Sequence, residues 1–287
     1  MLKRLKQLTV ATTIGIAVFA GAGLLIAACA PGLNQSEPES VERYGELDVI
    51  QHDGLDLFFI EKGDPQNPLI VFIHGTPGSW RAFRTYLIDP QLNERAHMIA
   101  VDRFGFGRSA VSGAIADYTM HSRAIGQLFQ RNASNQGAIV VGHSLGGTIG
   151  LRVALDHPDN VAGLVSISAA LSPEHGGPRW YNRLGALPLV RNVIPGGLSL
   201  ANKEILPIRG ELQAMQPNLG DLTIPVTVIQ GGKDPLVSPK NADYAEAVFT
   251  SATLNIKRYP QDGHFIIWER PEDVVEEILS MMAVNKS

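Results

Sequence analysis

From about residue 45 onward, the pattern of apolar and polar positions alternates between that of β-strands and that of α-helices. Residues 69–74 and 138–142 are continuous apolar runs, which predict strands buried on both faces. Six further strands are predicted at residues 47–52, 55–61, 98–102, 161–169, 226–231 and 254–259. Helices are predicted at residues 79–88, 119–131, 145–156, 241–249 and 271–282. Repeated strand–helix units indicate an α/β protein with a mainly parallel eight-stranded sheet flanked by helices.

One long segment, residues 172–222, interrupts this rhythm. It is far longer than an ordinary connection between two strands and carries too many apolar side chains for a disordered loop. It predicts a small, mostly helical cap, with the core formed by residues 45–171 and 223–287. Because the segment leaves and re-enters the sheet at one edge, we expect the cap to cover that edge and to line an apolar pocket.

The N-terminus has the pattern of a targeting segment. Lys3, Arg4 and Lys6 precede an uncharged apolar run that ends at small residues before Cys29. Residues 26–29, Ile-Ala-Ala-Cys, resemble the lipobox of bacterial lipoproteins. The resemblance implies a signal peptide over residues 1–28 and a lipid-modified Cys29 anchored in the bacterial cell envelope. By the same resemblance, an alanine at position 30 favours the outer membrane as the location. An uncleaved membrane anchor or an ordinary signal peptide is the alternative. The polar residues 29–44 predict a flexible tether.

Composition narrows the partners and cofactors. Apolar residues make up 45% of the chain and charged residues 18%, with a formal net charge of −4. No lysine- or arginine-rich patch is present, so nucleic acid is not expected as a partner. The lone cysteine excludes an intrachain disulfide and a thiolate zinc site, and no histidine–carboxylate spacing indicates a metal. We expect no cofactor.

The strongest chemical motif is Gly-His-Ser-Leu-Gly at residues 142–146. It lies between a predicted buried strand and a predicted helix, which is the setting of a nucleophile elbow. The two glycines are expected because strand and helix crowd each other at such a turn. The pattern predicts Ser144 as a nucleophile, with a purely structural strand–helix turn as the alternative.

A serine hydroxyl needs a base that accepts its proton. Three histidines follow Ser144 in the sequence. His157 lies at the far end of the helix that starts beside the serine, and His175 lies at the start of the cap. His264 follows a strand at the sheet edge where ligands bind, so it is the predicted base.

The base needs an acid that orients it. Asp234 follows the predicted strand 226–231 and two glycines, and it is the predicted acid. Asp262 is the runner-up, but it lies two residues from the histidine that it would have to orient. Glu269 is better explained as a charge at the start of the last helix.

Acyl transfer also requires donors for an oxyanion. The backbone N–H groups of Leu145, after the nucleophile, and of Thr76, in the loop at residues 74–78, are the predicted donors. Pro77 has no N–H, and a simple tight turn is the alternative for this loop. His74 is expected to brace the loop. His143 is expected to pack or to form a hydrogen bond, without a catalytic role.

Three further segments carry a family resemblance. Residues 74–78 (His-Gly-Thr-Pro-Gly), 102–109 (Asp-Arg-Phe-Gly-Phe-Gly-Arg-Ser) and 264–271 (His-Phe-Ile-Ile-Trp-Glu-Arg-Pro) resemble motifs of the α/β-hydrolase superfamily, in the branch with an H-G-x-P oxyanion loop. The resemblance covers about residues 45–283 and implies the fold and the triad, without naming a substrate. The turn at residues 102–109 is interpreted as structural and is left out of the site.

The serine at the elbow limits the chemistry that this resemblance implies. Haloalkane dehalogenases and many epoxide hydrolases of the branch carry an aspartate there, so Ser144 argues against both activities. Hydrolysis of a small, ester-like molecule through an acyl-serine is the expected function. Lactone, amide or carbon–carbon hydrolysis on the same triad is the alternative, and a non-catalytic envelope binding protein is a third reading.

Overall fold

A computed structural model of the protein describes residues 40–109, 115–191, 194 and 196–284. The predicted signal peptide, the lipobox with Cys29 and residues 29–39 of the predicted tether lie outside these residues. The last residue of that tether belongs to the fold instead. Tyr44 is buried and its ring packs 5.4 Å from the ring of Trp80, so the packed fold begins a few residues before Gly45.

Eight strands form one sheet, as predicted. They are β1 (Glu46–His52), β2 (Leu55–Lys62), β3 (Leu69–Ile73), β4 (His97–Val101), β5 (Ala138–His143), β6 (Val161–Ile167), β7 (Val226–Gly231) and β8 (Leu254–Tyr259). Their order is β1-β2-β4-β3-β5-β6-β7-β8. The pairs β1/β2 and β2/β4 are antiparallel, and all other pairs are parallel. Asp53 and Gly54 close the first hairpin with φ values of 51° and 78°, as a tight two-residue turn requires.

Helices cover both faces of the sheet and form the segment after β6. They are α1 (Arg84–Leu87), α2 (Pro90–Arg95), α3 (Tyr118–Gly126), α4 (Leu145–Asp156), α5 (Trp180–Gly185), α6 (Pro188–Arg191), α7 (Gly196–Ile205), α8 (Ile208–Met215), α9 (Lys240–Val248), α10 (Ile266–Glu269) and α11 (Pro271–Val284). Short 3-10 turns lie at Val41–Arg43, Trp80–Phe83, Gln127–Arg131 and Gln216–Asp221. Among the described residues, no helix is both long and apolar enough to span a bilayer.

The apolar run of β3 shows how the sheet separates two cores. Leu69, Val71 and Ile73 belong to one buried cluster, and Ile70 and Phe72 belong to the other. Successive side chains of a strand point to opposite faces, so a continuous apolar run is what a strand covered on both sides needs.

The parallel strands β3 to β8 all end at the same edge of the sheet. The elbow follows β5, the predicted acid follows β7 and the predicted base follows β8. Helices α5 to α8, which make up most of the predicted cap, follow β6 at that edge. The topology therefore brings residues separated by more than a hundred positions to one place.

Candidate active site

Ser144 lies at a sharp turn between β5 and α4. Its backbone has φ 55° and ψ −124°, which is unusual for a residue other than glycine and costs on the order of 1–3 kcal/mol. The turn requires a glycine at position 146, because a Cβ atom there would lie 2.0 Å from the carbonyl oxygen of Ile73. This crowding explains why the motif combines a serine with flanking glycines.

Ser144, His264 and Asp234 form a continuous hydrogen-bonded chain. The Nε2 atom of His264 lies 3.1 Å from Oγ of Ser144, and its Nδ1 atom lies 2.7 Å from Oδ2 of Asp234. Since Asp234 accepts the proton of Nδ1, Nε2 is left as the acceptor facing the serine hydroxyl. The three residues predicted from sequence are therefore brought together in the order that a proton transfer requires.

The carboxylate of Asp234 is held in place by the backbone that follows it. Oδ1 accepts hydrogen bonds from the N–H groups of Leu236 and Val237, both at 2.8 Å. The residue is 6% exposed, so its second oxygen, Oδ2, faces the histidine in a dry environment, with Nε2 of Gln230 at 3.4 Å. The runner-up acid, Asp262, is paired with Arg270 instead.

His143 has the supporting role expected for it. Its Nε2 atom lies 3.1 Å from the backbone carbonyl oxygen of His264, and its ring lies 5.0 Å from the His264 ring. Burial and the nearby His264 lower the pKa of His143 to about 3. His143 is therefore neutral near pH 7, and the carbonyl acceptor places its proton on Nε2.

The oxyanion loop lies directly beside the nucleophile. A Cβ atom on Gly75 would lie 2.9 Å from Cβ of Ser144, so glycine allows the loop to approach this closely. Thr76 and Leu145, the predicted donors, line the same cavity as Ser144. Leu145 is the first residue of α4, so its N–H has no acceptor within the helix.

His74 braces this loop, as expected. Its Nδ1 atom lies 2.6 Å from the carbonyl oxygen of Gly75, while its Nε2 atom accepts the backbone N–H of Arg103 at 3.0 Å. Burial is the first cause of a pKa well below the usual histidine value, followed by the charge of Arg103. A neutral His74 with its proton on Nδ1 satisfies both partners.

The turn at residues 102–109 is structural except for one side chain. The carboxylate of Asp102 accepts backbone N–H groups of Trp80 and Arg108, each at 2.7 Å. Arg103, however, donates from Nε to the carbonyl oxygen of His74 at 2.9 Å and from Nη2 to that of Gly75 at 3.0 Å. The sequence-based prediction missed this residue. The one available signal was an arginine placed directly after a strand at the edge that carries the site.

A mostly apolar cavity opens above Ser144. Its volume is about 140 Å³. Core residues at the cavity are Thr76, Pro77, Ser144, Leu145, Ala170, Leu236, Val237 and His264, and residues 177–208 contribute Gly177, Arg179, Tyr181, Asn182, Leu198, Ala201, Asn202, Ile205 and Ile208. The segment after β6 therefore lies over the nucleophile. Trp180, one of its apolar residues, is 61% exposed and is not among the lining residues.

Comparison with known proteins agrees with this geometry. Residues 68–192 match the family model described as alpha/beta hydrolase fold. A hydrolase of solved structure from Pseudomonas aeruginosa superposes with a TM-score of 0.64, at 19% identity over 83% of this chain and 98% of that one. The chain has the α/β-hydrolase fold.

Two of the curated proteins that resemble this chain in sequence have named activities. A haloalkane dehalogenase from Mycobacterium marinum is 31% identical over 161 residues, which cover 55% of this chain and 54% of that protein. Epoxide hydrolase 3 from Xenopus tropicalis is 30% identical over 121 residues, which cover 42% of this chain and 32% of that protein. The matched region thus spans about a third to a half of the length of these relatives.

In this α/β-hydrolase fold, the polar groups that line the candidate site are side chains and backbone N–H groups. Among residues 40–109, 115–191, 194 and 196–284, no group of three or more histidine, cysteine, aspartate and glutamate side chains is placed to hold a metal ion. The chemistry available at the edge is a serine hydroxyl, an imidazole base, a buried carboxylate and an apolar cavity.

Proposed function

We propose that this protein is a serine hydrolase that cleaves carboxylic esters of small or medium apolar molecules. The observation that carries the proposal is the chain from Ser144 Oγ to His264 Nε2 and from His264 Nδ1 to Asp234 Oδ2, at 3.1 and 2.7 Å. Its position beneath an apolar cavity favours an apolar acyl group.

The geometry supports a two-step acyl transfer. Ser144 Oγ bonds to the acyl carbon while Nε2 of His264 takes the hydroxyl proton, and the carbonyl electron pair moves to oxygen. The N–H groups of Leu145 and Thr76 would stabilise that oxyanion. As the carbonyl re-forms, the alkoxide leaves with the proton from His264. Water, deprotonated by the same Nε2, then attacks the acyl-serine. The bond from the acyl carbon to Ser144 Oγ breaks, Oγ regains the proton from His264, and the acid is released.

The named activities of the relatives raise a second candidate, which the nucleophile disfavours. Opening an epoxide or displacing a halide requires attack at an alkyl carbon. A carboxylate nucleophile would form an ester there, which water can cleave, whereas a serine would form an unreactive ether. At an acyl carbon, serine forms a hydrolysable ester. Ser144 therefore favours acyl substrates over epoxides and haloalkanes.

The test is covalent labelling combined with a substrate screen. A fluorophosphonate should label the parent protein, and Ser144→Ala should abolish labelling and lower kcat by several orders of magnitude without unfolding. Ser122→Ala is a matched control, because Ser122 is a buried serine of α3 away from the cavity. The screen covers esters of increasing acyl length, lactones, amides, an epoxide and a haloalkane. Ester turnover by Ser144→Ala at the parent rate would overturn the proposal, as would turnover of the epoxide or haloalkane alone.

We also propose that the mature protein is anchored in the bacterial cell envelope through a lipid on Cys29. The proposal rests on the basic start, the apolar run and the lipobox-like residues 26–29. Several acyl chains on one cysteine would bind a bilayer firmly. Intact mass spectrometry of the membrane fraction should find a chain that begins at Cys29 with added acyl mass. Recovery of the chain from Met1, or unchanged membrane retention of Cys29→Ser, would contradict lipidation.

A further inference from the structure

A buried ion pair joins the cap to the oxyanion loop. Arg103, after β4, donates from Nη1 to Oε1 of Glu204 at 2.5 Å and from Nη2 to its Oε2 at 3.1 Å. The two side chains are 0% and 1% exposed. Glu204 lies on α7, whose residues Ala201, Asn202 and Ile205 line the cavity above Ser144. A single cap helix thus contacts both the substrate cavity and the arginine beneath the loop.

Arg103 fixes the peptide unit that contains the second oxyanion donor. Its Nη2 atom and Nδ1 of His74 both donate to the carbonyl oxygen of Gly75, at 3.0 and 2.6 Å. The Gly75–Thr76 peptide is planar and trans, so the Thr76 N–H points opposite to that carbonyl. Holding the carbonyl toward Arg103 and His74 therefore directs the Thr76 N–H away from them. A rotated peptide would remove this donor from the site.

Glu204 binds the side chain of Thr76, the residue that carries this N–H. Thr76 Oγ1 donates to Oε2 of Glu204 at 2.6 Å. Thr76 is thereby fixed at its backbone through Arg103 and at its hydroxyl through Glu204. Burying both charges incurs a desolvation penalty that an apolar pair would avoid, so stability alone is a poor reason for this pair.

We propose that Arg103 and Glu204 are positioning residues, which hold the Thr76 N–H in the orientation that stabilises the oxyanion and make that orientation depend on cap helix α7. The proposal rests on the serine hydrolase function proposed above. Neither residue contacts the reacting atoms, and both act through Thr76. Movement of α7 would change the cavity and the oxyanion donor together.

The experiment compares variants that perturb this connection in different ways. Glu204→Gln removes the charge, and Thr76→Val removes only the hydroxyl while keeping the N–H and the Arg103–Glu204 pair. Thr76→Ser keeps the hydroxyl and should lose less activity than Thr76→Val. Glu277→Gln is the matched control. Glu277, on α11, is a buried carboxylate that pairs with Lys257 at 2.8 Å and does not line the cavity. Active sites are counted by fluorophosphonate, and kcat, KM and the affinity for a boronic acid transition-state analogue are measured.

Glu204→Gln and Thr76→Val are expected to lower kcat by about 10- to 100-fold per active site, with little change in KM, because a donor is misplaced. The affinity for the boronic acid should fall in parallel with kcat. Glu277→Gln should lower the thermal midpoint while keeping kcat near the parent value. If Glu204→Gln does not fold, Thr76→Val alone decides the question.

Three results would overturn the inference: an unchanged kcat per active site in Thr76→Val, a loss of kcat with unchanged boronic acid affinity, or an equal loss in Glu277→Gln. Failure of the underlying function would look different. In that case the parent protein itself would neither react with the fluorophosphonate nor hydrolyse any ester.

Discussion

Replacing Asp234 with asparagine tests how the base is oriented. The carboxylate accepts two N–H groups through Oδ1, at 2.8 Å each, and one from His264 through Oδ2, at 2.7 Å. An asparagine has the same shape but only one oxygen. Turning its NH2 group toward Leu236 and Val237 would sacrifice two short hydrogen bonds, each contributing about 1 kcal/mol. The other side carries one short bond, from His264, and a longer contact of 3.4 Å from Nε2 of Gln230. The oxygen should therefore stay with the backbone, and the NH2 group should face Nδ1 of His264.

This geometry reverses the tautomer of the base. With a donor facing it, Nδ1 becomes the acceptor and the ring proton moves to Nε2, which then cannot take the proton of Ser144 Oγ. The same substitution in an unrelated serine protease lowers kcat by about 10⁴-fold. We expect a similar loss here, equivalent to about 5.4 kcal/mol of transition-state stabilisation. Folding should be retained, because the two backbone hydrogen bonds persist.

The assay measures kcat/KM for an ester with each of two isosteric variants, together with urea unfolding. Asp262→Asn is the control, since that carboxylate pairs with Arg270 and not with the histidine. The reasoning is refuted if Asp234→Asn is nearly silent while Asp262→Asn is inactive. It is also refuted if Asp234→Asn is inactive only because the protein no longer folds.

Two further predictions concern stability and specificity. His121 and His143 each have a pKa of about 3 in the fold, lowered first by burial, against 6.5 for a free histidine. They are neutral in the fold and take up protons on unfolding, so stability is full above pH 6.5 and falls by up to about 1.4 kcal/mol per pH unit per histidine as the pH drops toward 3. Urea midpoints between pH 7 and 4 should show this slope, and His121→Gln should flatten it; an equal slope in that variant would contradict the assignment. Leu198→Trp, which narrows the cavity, should lower kcat/KM for long acyl chains more than for acetyl esters. Leu187 is 51% exposed and lies outside the cavity, so Leu187→Trp should leave the dependence of kcat/KM on acyl-chain length unchanged.

Local patterns were sufficient to predict the sheet and the elbow. The strands β7 and β8 and the helix α4 begin and end where periodicity places them, because the apolar positions of each segment follow one period and stop at turn residues. The short helix α2 was not predicted, although Asp89 before Pro90 is a recognisable start. The Asp89 side chain accepts the N–H groups of Gln91 and Leu92.

The connection between Arg103 and Glu204 could not be predicted in the same way. The two residues are 101 positions apart, and their pairing depends on where the cap helix α7 settles on the core. Several acidic residues lie in the segment after β6, and nothing in the local sequence distinguishes Glu204 from Glu174 or Glu211. Propensity and periodicity describe neighbours along the chain, whereas this contact is decided by packing between distant elements.

The histidines at the sheet edge show how packing assigns different roles to one residue type. His74 and His143 are fully enclosed, and burial is the first cause of the low pKa of each. Each neutral ring donates a hydrogen bond to a backbone carbonyl oxygen, His74 to that of Gly75 and His143 to that of His264. A charged ring at 5.0 Å would oppose protonation of His264 during acyl transfer, so a neutral His143 removes that repulsion while it anchors the backbone of the base. Of these three rings, only that of His264 faces both a carboxylate and a hydroxyl, and this difference in partners is why His264 is the proposed base.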